Sequence, residues 1–203
     1  MPKITSESTF EEHIESVLTK QHGYLVGVQK DYKQELCLRP ETLISFVRST
    51  QTKNWKEYCD KEASFEEAQK KFLKRVKDVI EKEGTLHVLR NGVSIIGGGK
   101  FDLCYFKPTS PHAEDSLRLY KENIFHVQRQ LFYSPDNEKS VDMVLFINGL
   151  PIFTIEIKNE LSGQNVWDAK RQFKEDRDPA EAFFRFKRNL GFFAVDNQLV
   201  YVS

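Results

Sequence analysis

Residues 141–160 have the sequence VDMVLFINGLPIFTIEIKNE, in which two apolar runs carry the charged residues Asp142, Glu156 and Lys158. The Asn-Gly pair at 148–149 lies between the runs and is a strong short-range signal for a β-hairpin. The stretch therefore predicts two antiparallel strands that bring charges into a largely apolar setting. What the three charged residues can do depends on how the two strands are paired.

The pairing register decides where Asp142 lies. If the hairpin is centred on Gly149, Asp142 lies opposite Glu156, and if it has a two-residue turn at 148–149, Asp142 lies opposite Ile155 and points to the other face. We favour the first register because it alone places the large apolar residues on one face. Those residues are Met143, Leu145, Ile147, Phe153, Ile155 and Ile157. Lys158 then shares a face with Glu156, since alternate residues of a strand point the same way.

Two carboxylates that face each other across a strand pair repel by roughly 0.2–1 kcal/mol, and burial increases that cost. A Mg²⁺ ion removes the conflict, because it binds one or two carboxylates and keeps waters for a phosphate substrate. Lys158 would orient or deprotonate the attacking water and stabilise charge on the phosphate. The alternative is an ordinary Glu156–Lys158 ion pair on a solvent-facing strand. Acid-x-Lys alone is not specific, since DYK (31–33) and DAK (168–170) also fit.

The composition is that of one folded domain. The chain has 203 residues, 39% hydrophobic and 12% aromatic, which is enough for a substantial core. Its 30 basic and 30 acidic side chains give no net charge, which neither requires nor excludes a nucleic-acid partner. No apolar run is long enough to span a membrane. Three cysteines without a CxxC pair, and no signal peptide, predict a reduced, cytoplasmic setting.

The pattern of elements predicts an α/β domain. We expect helices from Ser8 (an S-x-x-E capping box) to Gly23, at 39–51, and from 64 to Gly84. Strand pairs are expected around the Asn-Gly at 91–92 and around 196–197, with further strands at 100–106 and 123–133. Two last helices are expected at 165–177 and 180–188. GGGK (97–100) lacks the spacing of a phosphate-binding loop, and we interpret it as a connection.

Several motifs occur in a fixed order: SESTFE, ETLISFVRSTQ, NIFHVQRQ, the NGLP hairpin with E-x-K, DAKRQF, DRDP and FFAVDNQLVYVS. Together they resemble the N-terminal domain of type I restriction endonuclease R (HsdR) subunits, which is a PD-(D/E)xK nuclease. The resemblance covers nearly the whole chain. It implies a restriction-endonuclease-like core with a mixed central sheet flanked by helices. It also implies that residues 1–203 are one nuclease domain, the N-terminal part of a longer subunit with motor domains.

The same resemblance implies Mg²⁺-dependent hydrolysis of DNA, with Mn²⁺ as a substitute ion. Asp142 and Glu156 would be metal ligands, supported by Glu11 and the carbonyl of Ile157, and Lys158 would be the catalytic lysine. Gln172 matches the glutamine of a Q-x-x-x-Y motif that holds DNA or the active-site geometry. The chain departs from the pattern in two places: Val141 replaces the proline of the signature, and Asp176 stands in place of the tyrosine.

The resemblance also implies the partners: double-stranded DNA and the methyltransferase and specificity subunits, with ATP used only by motor domains outside this chain. Lys170, Lys174 and Arg177 lie within one turn of the helix at 165–177 and form either a phosphate clamp or part of a mixed-charge surface. Phe183, Phe184 and Phe186 are interpreted as core. Two alternatives stay open, a non-catalytic docking module on the same fold and a DNA repair or recombination nuclease.

Overall fold

The computed structural model describes residues 6–110, 112–159 and 164–203. The helices are α1 (Glu7–His22), α2 (Pro40–Thr50), α3 (Thr52–Cys59), α4 (Phe65–Glu83), α5 (Thr85–Asn91), α6 (Glu114–Lys121) and α7 (Val166–Arg171). The strands are β1 (Leu25–Val26), β2 (Val93–Ile95), β3 (Gly99–Phe101), β4 (Phe125–Phe132), β5 (Ser140–Ile147), β6 (Leu150–Ile157), β7 (Gly191–Val195) and β8 (Val200–Val202).

Six of these strands form one sheet in the order β1-β4-β5-β6-β7-β8. β4, β5 and β6 are an antiparallel meander, β1 and β7 add in parallel on either side, and β8 closes the edge antiparallel to β7. The sheet is therefore mixed, and with helices around it the fold is α/β and restriction-endonuclease-like, as the sequence predicted. β2 and β3 form a separate hairpin.

The sheet is covered on both faces around β5 and β6. On one face, Met143 and Ile155 pack against the apolar side of α1, which carries Ile14 and Leu18. On the other face, Phe146 packs with aromatic residues from the segment that follows α7, among them Phe183. A third cluster joins α2–α5 and the β2–β3 hairpin to the turn end of the meander. Charged residues at the other end of the meander are therefore enclosed by core.

Helix ends follow the chemistry of their caps. α4 begins after Ser64, whose hydroxyl accepts the Glu67 N–H, and ends at Gly84, as predicted. α1 ends at Gly23 as predicted, but it begins earlier than the capping box indicated. The capping hydroxyl belongs to Ser6, which accepts the Thr9 N–H.

The prediction of a hairpin around Asn-Gly 91–92 is wrong, because residues 85–91 form helix α5. Thr85, Val88 and Leu89 are buried with the spacing of one helical face. Gly92 adopts a positive φ of 66° and its N–H bonds back to the Val88 carbonyl, so it ends a helix. Asn-Gly favours a positive φ in either role, and the turn signal was therefore ambiguous. The triple-glycine connection at 97–99 instead joins β2 to β3.

The helix predicted at 180–188 is also wrong. The chain there makes successive tight turns, with Phe184 N–H bonded to the Glu181 carbonyl and Lys187 at a φ of 67°. Phe183 and Phe184 are core as expected, while Phe186 is 88% exposed. The helix predicted at 165–177 ends at Arg171 and continues as a π-helical turn, Gln172–Asp176. The sequence patterns missed α3, α6 and β1.

Within the described ranges, none of the helices has the length and apolar character that a bilayer crossing requires.

Candidate active site at the open end of the central hairpin

Both registers considered for the β5–β6 hairpin occur, one at each end. Next to the two-residue turn at 148–149, Ile147 faces Leu150, as a two-residue turn requires. A β-bulge then shifts the pairing by one residue, so that Met143 faces Ile155. The register that we favoured is therefore present at the charged end of the hairpin. The bulge reconciles the tight turn with the burial of the apolar residues.

This register brings Asp142 and Glu156 together, one step beyond the last paired residues. Asp142 Oδ2 accepts the backbone N–H of Ile157 at 2.7 Å, which holds its carboxylate at the open end of the hairpin. The negative charge of Asp142 is one of the causes that raise the pKa of Glu156. The sequence prediction that the two acids meet is thus confirmed by their geometry.

Glu156 is completely buried, and its two carboxylate oxygens differ sharply. Oε1 accepts hydrogen bonds from Nε of Arg177, at 3.0 Å, and from Nη2 of the same residue. Oε2 is buried and has no hydrogen-bond partner among the described residues. Burial and the Asp142 charge raise the pKa of Glu156 to about 8, although Arg177 opposes the shift.

Glu11 reaches the same region from α1. It is buried, and its carboxylate accepts from Arg129 Nε at 3.1 Å and from Gln130 Nε2 at 2.9 Å. Burial raises the pKa of Glu11, and the charge of Asp142 adds to the shift. Glu11 is thus the third acid near the hairpin end, but both of its oxygens are already engaged. Arg129, which the sequence patterns did not single out, fixes it there.

Lys158 follows directly after β6 and is buried, with its N–H bonded to the Val195 carbonyl at 2.8 Å. Its Nζ lies 3.8 Å from Oε2 of Glu7 on α1. Within the described residues no ion pair joins Lys158 to Glu156, whose cationic partner is Arg177. The alternative of a solvent-facing Glu156–Lys158 pair is therefore wrong. The amine lies at the hairpin end on the side of α1, whereas Glu156 bonds Arg177, which contacts Tyr133 and Phe184 of the cluster on the other face. The prediction that Lys158 and Glu156 share a face is therefore wrong, because Lys158 lies beyond the end of β6.

The basic residues of α7 and of the segment after it divide into two groups. Lys170 and Lys174 line a cavity of about 440 Å³ together with Tyr201 and other residues, and Lys170 Nζ lies 4.8 Å from the Tyr201 ring centre. Arg177 forms part of the wall of the same cavity but is only 8% exposed and turns inward to Glu156. The three residues therefore do not form one exposed clamp. Sequence spacing missed this because it assumed an unbroken α-helix.

Gln172 is the first residue of the π-helical turn and is half-buried. In the part of the chain that the structure describes, no hydrogen bond joins its side chain to Asp142, Glu156 or Glu11. Its position on the segment that leads to Arg177 places it on the Glu156 side of the sheet. A role in holding DNA stays a prediction.

The donor set fits a hard divalent cation. The described residues contain no group of three or more His, Cys, Asp or Glu side chains arranged to hold a metal. Two carboxylates and a backbone carbonyl at 157 suffice for Mg²⁺, which commonly binds through one or two carboxylates and fills its other positions with water and phosphate. The buried, unpartnered Oε2 of Glu156 is the observation that favours a cation here.

A family model described as "Type I restriction enzyme R protein N terminus" matches residues 4–203. No curated protein matches the chain.

Proposed function

Because the chain belongs to the family of type I restriction enzyme R protein N-termini, we propose that it is the nuclease domain of such a subunit and hydrolyses DNA phosphodiester bonds. The observation that carries the proposal is the pairing of Asp142 with Glu156, whose buried Oε2 has no partner in the described residues. Two adjacent carboxylates at the edge of a core lower the stability of a protein when nothing neutralises them. They are useful in a site that binds a cation.

Asp142 and Glu156 would hold Mg²⁺, or Mn²⁺ in its place, with the carbonyl of Ile157 as a further donor. When bound, the ion polarises the scissile phosphate and lowers the pKa of a coordinated water. Glu11 adds negative charge beside Asp142, as a ligand or through a water. Arg129 and Gln130 hold its carboxylate in place.

Lys158 has the role of the catalytic lysine. Its ammonium would orient the attacking water and offset the charge that develops on the phosphate. The contact with Glu7 at 3.8 Å holds the amine at the mouth of the site, on the α1 side. Burial of the side chain limits its rotation, which favours one orientation for proton transfer.

DNA would approach along the segment after α7. Lys170 and Lys174 line the cavity whose wall includes Arg177, the partner of Glu156, and are suited to phosphate contacts, which are independent of sequence. Gln172 lies between them on the chain and is suited to a polar contact with the DNA backbone. We infer that recognition of a sequence belongs to the specificity and methyltransferase subunits, that ATP is used by motor domains, and that the assembly acts in the cytoplasm.

The test is plasmid cleavage by the reconstituted restriction complex over a Mg²⁺ titration. We expect Asp142→Ala and Lys158→Ala to lower cleavage by at least about a hundredfold, the scale of a lost catalytic group, with ATP hydrolysis and circular dichroism unchanged. Cleavage equal to wild type in both folded variants would contradict the proposal.

One observation favours the alternative of a non-catalytic docking module. Arg177 forms an ion pair with Glu156 and so neutralises part of its charge without any bound metal ion. Metal binding separates the two functions. A Mn²⁺ site that is lost in Asp142→Asn supports the nuclease, and DNA binding without any Mn²⁺ site supports the module.

A further inference from the structure

Arg177 is held by three groups at once. Its guanidinium donates twice to Oε1 of Glu156, and it lies 5.5 Å from the ring centre of Tyr133 and 5.7 Å from that of Phe184. Cation–π contacts of this kind restrain a guanidinium in position and orientation. The Arg177 side chain is therefore held both by the Glu156 carboxylate on β6 and by the two aromatic rings.

The backbone before Arg177 aims the side chain inward. Residues Gln172–Asp176 form a π-helical turn, and Arg177 then leaves it in an extended conformation. A π-turn adds a residue to the helical repeat and so redirects the side chains that follow; such turns occur often at functional sites. A regular α-helix through 177 would continue the surface pattern of Lys170 and Lys174 instead.

The arginine uses one oxygen of Glu156 and leaves the other. Both donating nitrogens bind Oε1, while Oε2 stays buried without a partner in the described residues. A guanidinium that served only to neutralise the carboxylate would be expected to bind both oxygens as a fork. The observed geometry instead holds Oε1 in place and leaves Oε2 without a hydrogen bond in the described residues.

We propose that Arg177 is a positioning residue of the metal site, which fixes the Glu156 carboxylate through Oε1 so that Oε2 faces the cation held with Asp142. The inference rests on the proposed function and deepens it. Groups that orient a ligating carboxylate typically control metal affinity without touching the metal. Two other roles of Arg177 predict different results. If Arg177 were purely structural, its replacement would leave the metal affinity unchanged. If its positive charge competed with the metal ion, its replacement would make metal binding tighter.

The experiment measures Mn²⁺ binding to the purified protein by electron paramagnetic resonance, with thermal unfolding in parallel. The variants are Arg177→Gln, Arg177→Lys, Asp142→Asn and Arg188→Gln. Arg188 is the matched control, because it is equally buried but donates to the backbone carbonyls of Leu36 and Cys37 rather than to a carboxylate.

We expect Arg177→Gln to weaken Mn²⁺ binding by about 10- to 100-fold, the usual cost of losing such an orienting group. Arg177→Lys keeps the charge but not the planar fork, and should lose less affinity. Arg188→Gln should lower the melting temperature and leave Mn²⁺ affinity as in wild type.

Unchanged or tighter Mn²⁺ binding in Arg177→Lys and Arg177→Gln would overturn the assignment. If Arg177→Gln does not fold, the lysine variant alone decides. Asp142→Asn separates the two levels of the argument. Loss of Mn²⁺ in that variant with unchanged binding in the Arg177 variants overturns only the role of Arg177. Absence of any Asp142-dependent Mn²⁺ site overturns the proposed function as well.

Discussion

The carboxylate of Asp142 accepts the backbone N–H of Ile157 at 2.7 Å, across the open end of the β5–β6 hairpin. The contact holds the acid where β6 leaves β5, beside the buried Glu156. It also means that Asp142 has a structural use that survives without any ion. The two uses can be separated, because the N–H needs only an oxygen, whereas a cation needs the charge.

Asp142→Asn should therefore raise the stability of the metal-free protein. Above a pH of about 8, where Glu156 is ionised, the amide oxygen can still accept from Ile157 while the repulsion between the two carboxylates disappears, a gain of about 0.2–1 kcal/mol for facing like charges. Asp142→Ala loses the acceptor and should be less stable than Asp142→Asn by about 1 kcal/mol. Urea unfolding in the presence of a chelator measures both. Lower stability of the asparagine variant would contradict the repulsion.

The tight turn that closes the β5–β6 hairpin depends on Gly149. Gly149 has a φ of 85°, and a Cβ there would lie 2.4 Å from the Arg39 carbonyl oxygen. Gly97 has a similar φ of 79° but open space around it. Gly97→Ala should cost about 1–2 kcal/mol for the left-handed backbone alone, and Gly149→Ala clearly more. Equal losses in chemical denaturation would show that the contact with Arg39 yields easily.

His126 on β4 should lower stability at mildly acidic pH. Burial lowers the pKa of His126 to about 4, with a further contribution from Arg39, against an ordinary value of 6.5. Between these values the unfolded chain binds a proton that the folded protein rejects, so the contribution of His126 to the unfolding free energy should fall by up to about 3 kcal/mol as pH decreases from 6.5 to 4. Glu156, whose pKa burial raises to about 8, changes the unfolding free energy in the opposite direction, so the contribution of His126 is measured as the difference between wild type and a variant without it.

His126→Gln should remove this contribution, so that the unfolding free energy of the variant rises relative to wild type as pH decreases from 6.5 to 4, whereas substitution of the exposed His13 by Gln should leave the wild-type pH dependence unchanged. Denaturation curves at several pH values between 4 and 7 provide the comparison. A difference between wild type and the His126 variant that does not change with pH would contradict the prediction.

The hairpin and the capped helix α4 were predictable because their signals are local. Ser64 and Gly84 act on neighbouring backbone groups, and Asn148-Gly149 supplies two positive φ values in sequence. The bulge was not predictable, because it arises from two demands that act at different ends of the hairpin. The turn prefers one register, and packing of Met143 and Ile155 against α1 requires the other.

The inward position of Arg177 was equally hidden. Its spacing from Lys174 is that of a surface helix, and only the π-turn, with the ring contacts of Tyr133 and Phe184, reverses its direction. Those partners lie far apart in the sequence or on irregular backbone, where periodicity carries no information. Asp142 and Glu156 were predicted to meet because strands have a strict period of two, and Glu11 was named only through the resemblance, while Arg177 and Arg129 had no such guide.

Glu11 and Glu12 share Arg129 as a partner and differ in burial. Arg129 lies 3.1 Å from Glu11 and 3.5 Å from Glu12, whose side chains are 6% and 62% exposed. Glu11→Gln should cost about 1–3 kcal/mol, since a buried charged hydrogen bond is weakened, and Glu12→Gln less than about 1 kcal/mol. Only Glu11→Gln should weaken Mn²⁺ binding. Equal effects on metal affinity would remove Glu11 from the site.

Lys170 on α7 and Lys174 in the turn that follows it should govern the salt dependence of DNA binding. Lys170 is restrained over the Trp167 and Tyr201 rings, and Lys174 lines the same cavity. Each phosphate contact adds about one unit to the slope of log affinity against log salt. Lys170→Ala and Lys174→Ala should each lower that slope by about one in fluorescence anisotropy with duplex DNA, without a preference for sequence. Lys53→Ala, on distant α3 and 87% exposed, should leave it unchanged. If all three variants have the wild-type slope, Lys170 and Lys174 do not neutralise phosphates, and the DNA binds to another surface.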